Sequence, residues 1–304
     1  MKKHYLLFAS ALTVMNLLFT FPKYVASQEL KLLPGEVLPV LENVQVKANV
    51  TLSTSKVYTY AYTITNSPTN TGEIWSIEID IKKPTDGQDV GSEGIVSGPR
   101  FTKHTSELVL SEITTPLIPV GISSPPDWIS GLSIQGTAGW GGPEDPFMIH
   151  PGQSMSGFEL TSRGLPGIRS IMIEPRFEQT PVDEATPEDV ERIKAIEKAI
   201  VVTLKTLGPT APPADFKATT FIDYIISMKH EAFSLGWITN KGIENSLDAK
   251  LDNAKKKIEQ GNTNAAKNIL EALINEVKAQ KDKHLTSEAY GLLKYNVEYL
   301  IGRL

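Results

Sequence analysis

Gly236-Trp237-Ile238-Thr239-Asn240-Lys241-Gly242-Ile243-Glu244-Asn245-Ser246-Leu247-Asp248-Ala249-Lys250-Leu251 is the stretch on which the reading of the fold turns. A glycine that stops one helix, a Thr or Asn able to cap the next, and Ile243, Leu247 and Leu251 at helical spacing spell a helical corner. The same signals recur on either side of it. Phe221, Ile225, Met228 and Ala232 give a first helix from about 219 to 235. The second begins at Thr239 or Asn240, continues through Ala254 and Ile258, carries Lys255-Lys256-Lys257 near its carbonyl end, and stops at Gly261. Ala266, Ile269, Leu270, Leu273, Ile274 and Val277 mark a third helix from about Thr263. Ala289, Leu292, Leu293, Asn296 and Leu300 mark a fourth, starting at Thr286 or Ser287. Loops this short make neighbouring helices antiparallel, so residues 217–304 are expected to form a four-helix bundle.

Upstream the chain changes character. All 20 prolines lie at or before Pro213, which places an extended Pro-rich linker over 208–216. Before it, alternation rules. Val57-Tyr58-Thr59-Tyr60-Ala61-Tyr62-Thr63-Ile64-Thr65 sets three tyrosines on one face, and Ile74-Trp75-Ser76-Ile77-Glu78-Ile79-Asp80-Ile81 alternates again after the loop 66–72. These two read as a strand–loop–strand unit of one antiparallel sheet, with Trp75 in the core. Further strand-length pieces at 43–50, 107–113, 131–135, 147–150, 156–162 and 169–174 are each bounded by turn residues, and about eight to ten strands in all indicate a sandwich. One helix interrupts them: Thr186-Pro187-Glu188-Asp189 is a cap, a Pro at the first position and acids in the first turn. The β-branched run Ile200-Val201-Val202-Thr203 then returns the chain to the sheet, a single helix through Leu207 being the alternative. The fold class expected is mainly β plus all-α: an antiparallel β-sandwich over 28–207 with one inserted helix, followed by the bundle.

The N-terminus has the three parts of a secretory signal: basic Met1-Lys2-Lys3-His4, an apolar run from Tyr5 to Phe21, and small residues at Val25 and Ser27. Residues 1–27 are therefore expected to be a cleaved signal peptide, the run being shorter than the roughly 20 apolar residues of a membrane span. With no cysteine, thiol catalysis, Cys-ligated metals and lipoprotein acylation are all excluded. A secreted chain without disulfides suits a bacterial periplasm or exterior. The net charge of −5 is concentrated in 28–216, while 217–304 is slightly basic, and an acidic secreted domain argues against nucleic-acid binding.

Gly-Trp-Ile-x-Asn-x-Gly-Ile-x-Asn-Ser-Leu at 236–247, Lys-Leu-x-x-Ala at 250–254, Gly261, the stretch 265–273 and Lys-x-Leu-Thr at 283–286 together resemble the FIMAH-type helical module of secreted bacterial proteins. The resemblance covers about 236–304 and implies an extracellular accessory domain that brings no catalytic residues with it. It departs from that pattern at Tyr295-Asn296-Val297-Glu298-Tyr299, where a more alanine-rich helix is expected. Ile149 to Phe158, with its Pro-Gly-x-Ser-x-x-Gly-Phe pattern, and Leu165-Pro166-Gly167 are similar to unassigned secreted bacterial sandwiches, which implies architecture only.

Chemistry is thinly signalled. His104, His150, His230 and His284 stand at no tight ligand spacing, so a histidine metal site has to assemble from distant segments. Asp86, Asp89 and Glu93 in a glycine-rich loop are candidate calcium ligands, the one cofactor considered, although their spacing fits no EF-hand and favours a solvated turn. Ser154 lacks the Gly-x-Ser-x-Gly elbow, and Glu78 and Asp80 read as the wet face of a strand. Trp128 and Trp140, flanked by Gly and Pro, are the candidate ligand-binding residues, suited to stacking on a sugar or a partner protein if exposed, and to covering the core edge if not. The expectation is a secreted, non-enzymatic recognition or scaffolding protein with protein or carbohydrate partners at a cell surface. Its rival is a hydrolase acting on cell-surface glycans.

Overall fold

A computed structural model describes residues 30–81, 102–103, 119–132, 137–178 and 186–304. Two antiparallel sheets face each other. One runs in the order β1 (Val44–Leu52), β2 (Tyr58–Asn66), β8 (Ser154–Ser162), β5 (Pro119–Ser123). The other runs β10 (Val202–Thr210), β9 (Leu165–Pro175), β3 (Ile74–Asp80), β7 (Thr137–Gly141), β6 (Ile129–Leu132), β4 (Thr102–Lys103). The sandwich with one inserted helix is thus as expected. The pairing of its first strands is not: β2 and β3 lie in different sheets, so the loop 66–72 crosses between layers. Buried Asn66 and Asn70 make that crossing. Asn66 donates to the carbonyls of Gly72 (2.9 Å) and Ile149 (2.8 Å), and Asn70 donates to the Asn66 side-chain oxygen (2.8 Å), so buried amides bond the backbone of the crossing.

Period-two alternation fills the core. Tyr58, Tyr60, Tyr62 and Ile64 of β2 are buried with Ile77, Ile79 and Ile81 from the β3 side and Ile171 and Ile173 of β9. The tyrosine hydroxyls inside are hydrogen-bonded, Tyr60 to the Gly164 carbonyl at 2.8 Å and Tyr62 to that of Leu207 at 2.9 Å. Glu78 and Asp80 fall on the outer, half-buried side of β3, as expected of a wet face.

Helix α1 (Pro187–Ile200) starts with a full capping box between Thr186 and Asp189. Arg192 on α1 bonds Glu36 at 2.5 Å, tying the lead-in segment to the helix. The chain then re-enters the sheet as β10, the preferred of the two sequence readings. β10 runs to Thr210, so the first residues of the expected linker are strand, and Gly208, Pro209 and Thr210 are buried. Buried Arg169 holds this end by donating Nε (2.9 Å) and Nη2 (2.6 Å) to the Pro209 carbonyl.

The bundle comprises α2 (Ala218–Ser234), α3 (Lys241–Glu259), α4 (Thr263–Gln280) and α5 (Ser287–Ile301). Gly236 (φ +75°) closes α2, with Gly236 N–H on the Phe233 carbonyl and Trp237 N–H on that of Ala232. Gly261 (φ +71°) closes α3 with the same pair of bonds, to Ile258 and Lys257. Both are Schellman stops, for which a residue without Cβ is favoured. Asn240 caps α3 by accepting from Gly242 (2.8 Å) and Ile243 (3.1 Å). The two turns also bond each other: Ile238 bridges Leu285, Thr239 N–H donates to His284 and Thr286 N–H to Trp237, both at 2.9 Å. The Gly-Trp-Ile-x-Asn and Lys-x-Leu-Thr segments are therefore two halves of one structural corner.

α5 does more than complete the bundle. β1 is an edge strand, and its outward groups are met by α5 side chains: Ala48 N–H donates to Glu288 Oε1 (2.5 Å), and Tyr295 hydroxyl donates to the Val50 carbonyl (3.2 Å). Asn296, fully buried, donates to the Pro166 carbonyl at the start of β9 (2.8 Å) and to Leu292 in its own helix (2.8 Å). A Cβ on Gly291 would lie 3.3 Å from Val50 Cβ and 3.4 Å from Leu207 Cδ1, so the absence of a side chain there lets the helix approach β1 and β10 closely. Tyr58 and Tyr295 meet edge to face at 5.3 Å. One continuous cluster of buried apolar residues spans the sandwich and the helices.

Candidate functional site

Trp128 and Trp140 are 0% and 1% exposed. Both rings lie against Phe158 inside the sandwich, at 4.9 and 5.8 Å, and their indole N–H groups donate to the carbonyls of Phe147 (3.0 Å) and Ser123 (2.6 Å). Neither offers a face for stacking, and of the two sequence readings the rings follow the one in which they fold back over the core. Burial of so large a ring with its one donor satisfied outweighs the turn residues around it. Asp86, Asp89, Glu93 and His104 lie outside the described residues.

The most exposed tryptophan is Trp75, at 38%, where alternation places a core residue. The reason is a register shift: Ile74 pairs with Pro175 and Ser76 with Glu174, leaving Trp75 as the extra residue of a bulge, turned out of the inward series Ile77, Ile79, Ile81. Its carbonyl accepts from Gly142 N–H (3.3 Å), and Ile74 exchanges two backbone bonds with Ile149 (3.0 and 3.2 Å). Segment 142–150 is thereby wrapped around the start of β3. Within it Phe147 N–H closes a turn on the Glu144 carbonyl (2.8 Å), and Phe147 stands 44% exposed. The buried Trp128 supports this turn from beneath through its bond to the Phe147 carbonyl.

The same bridge sets Glu73 beside His150. His150 Nδ1 lies 2.8 Å from Glu73 Oε1, and Nε2 lies 3.3 Å from Asp145 Oδ1 and 3.4 Å from the Pro146 carbonyl. Glu73, Asp145 and His150 could together hold a metal ion. Separated by 77 residues, Glu73 and His150 give no spacing signal in the sequence, which is why the site was not legible there.

A second cluster sits between α2 and α3. Lys229 is fully buried, bonded to Glu244 and, at 2.6 Å, to Asp248, while Lys241 reaches Glu244 Oε2 (2.5 Å) and half-exposed His230 lies 3.2 Å from Asp248. Burial pushes the Glu244 carboxyl up, but hydrogen bonds from Lys229 and Lys241 prevail and hold it down at about 2. His230, Glu244 and Asp248 also have metal-ligand geometry, yet the Lys229 ammonium already sits on both carboxylates. A third group lies on the outer face of the larger sheet, where burial, then Glu197 and Glu78, raise the carboxyl of Glu174.

Taken together, fold and site define a two-layer antiparallel sandwich carrying a helical module and an aromatic, acidic rim at the start of β3. Residues 233–302 match the family model of the FIMAH domain, in agreement with the resemblance of the helical corner. A search of curated proteins finds no match for the chain. Among the described residues no helix is long and apolar enough to cross a membrane.

Proposed function

We propose that this is a secreted, non-catalytic recognition protein of the bacterial exterior, whose rim around Trp75 and Phe147 engages carbohydrate at a cell surface. The observation that carries the reading is the exposure of these two aromatic side chains, 38% and 44%, on a rim fixed by backbone bonds and buttressed by Trp128. Aromatic rings on such a rim supply amphipathic contact area, and Glu73, Asp145 and His150 beside them supply the polar groups that orient a hydroxylated ligand. Secretion draws its support from the three-part N-terminus and from the FIMAH match. The helical module acts as a rigid accessory, held to the sandwich by α5.

The test is retention on a glycan array and on isolated cell wall, comparing the wild type with Trp75→Ala and Phe147→Ala. The reading expects retention by the wild type and its loss in both variants. Equal retention by all three, or capture by a protein with no glycan bound, refutes it. The second reading, a glycan hydrolase, rests on the raised carboxyl of Glu174, which suits a proton donor. Turnover of a glycoside panel that vanishes in Glu174→Gln would establish it instead.

A further inference from the structure

We infer that Asp145 and His150 form a binding site for a divalent transition ion of the zinc class, with Glu73 as the residue that orients the histidine. The case begins with Nδ1. A carboxylate oxygen accepts, so His150 Nδ1 donates to Glu73 at 2.8 Å, an ordinary hydrogen-bond length. In the neutral imidazole this leaves Nε2 as a lone pair, and its two nearest polar neighbours are both acceptors, Asp145 Oδ1 at 3.3 Å and the Pro146 carbonyl at 3.4 Å. With Nε2 unprotonated, three acceptors face one another, and a cation between them satisfies all three.

The separations fit an ion. Zinc bonds of about 2.0–2.1 Å to nitrogen and oxygen in a tetrahedron place neighbouring ligand atoms about 3.3–3.4 Å apart. Both Nε2 distances match that edge and are longer than the usual ~2.9–3.0 Å of an N–H···O bond. A carboxylate on the far nitrogen of a ligating histidine is the arrangement that fixes its tautomer and raises its basicity. The ligands are also built in. Bonds between Ile74 and Ile149 fix the backbone beside Glu73 and His150, and the Glu144–Phe147 turn fixes that of Asp145 and Pro146. Imidazole with oxygen donors selects zinc-like ions over calcium. The cluster of His230, Glu244 and Asp248 is the contrast, since there Lys229 supplies the positive charge.

The site stands whether or not the rim binds a saccharide, and its test uses zinc chloride alone. Isothermal titration of the full chain is expected to give one saturable site that disappears in His150→Ala and in His150→Gln, weakens about 10- to 100-fold in Glu73→Gln, and shifts the His150 Nε2 resonance in nitrogen-15 spectra. Unfolding midpoints of the variants without metal separate loss of ligand from loss of fold. Absence of zinc binding by the wild type, binding that survives both His150 variants, or a His150 ring that is doubly protonated and unmoved by zinc overturns the assignment.

Discussion

Replacing Glu288 by Ala removes the acceptor that α5 presents to the edge of β1. Glu288 is 5% exposed and Ala48 fully buried, so no water takes over the Ala48 N–H when the carboxylate is lost. A buried donor left unpaired costs about 1–3 kcal/mol, with bonds to charged acceptors at the upper end. Loss of a negative charge from the first turn of α5 adds about 0.3–1 kcal/mol. The expected loss for Glu288→Ala is therefore about 2–4 kcal/mol. Glu288→Gln keeps an amide oxygen in place of the carboxylate and should cost about 1 kcal/mol, mostly for the lost charge. Denaturant unfolding followed by tryptophan fluorescence gives both values, and hydrogen exchange at the Ala48 amide locates the effect. Equal losses in the two variants within about 0.5 kcal/mol, or unchanged exchange at Ala48, would refute edge capping by Glu288.

Lys229→Met removes the buried ammonium from Glu244 and Asp248 and leaves Glu244 with the exposed Lys241, so it should cost up to about 3–5 kcal/mol, whereas Lys229→Met combined with Glu244→Leu should recover most of the loss, as a thermal or denaturant series will show. Because the folded Glu244 carboxyl is held down at about 2, its contribution is complete above its ordinary value near 4.5 and fades as pH falls toward about 2; acid titration of stability in wild type and Glu244→Gln should differ in that window. Burial, with smaller effects of Glu298, Tyr295 and Tyr299, raises the Tyr58 phenol to about 12, and burial raises Tyr60 and Tyr62 as well. Their stabilising effect is whole below pH about 10 and lost as pH rises through the folded values, so alkaline unfolding should coincide with tyrosinate absorbance rather than precede it.

What was legible in the sequence was local. Asn240, Gly236, Gly261 and Thr186 act through bonds to residues two to five positions away, so capping and Schellman chemistry could be read from short windows. Alternation located β1, β2 and β3 because each buries one face, and bounding turn residues located β9. What failed depended on a partner strand. The exposure of Trp75 follows from its bulge against β9, and the pairing of β2 with β8 rather than β3 follows from the crossing between layers. The rim escaped because Glu73 and His150 meet only through the Ile74–Ile149 bridge. One signal was present without its meaning: Tyr295 and Asn296, the departures from an alanine-rich last helix, are the side chains that bond Val50 and Pro166 of the sandwich.

The docking of α5 on β1, β9 and β10, with one buried apolar cluster running through both, predicts that the helical module and the sandwich unfold as one cooperative body. Scanning calorimetry of the chain lacking residues 1–27 tests this most directly. A single transition whose calorimetric and van't Hoff enthalpies agree is the predicted result, and two separable transitions, one for the sandwich and one for the helices, would contradict it.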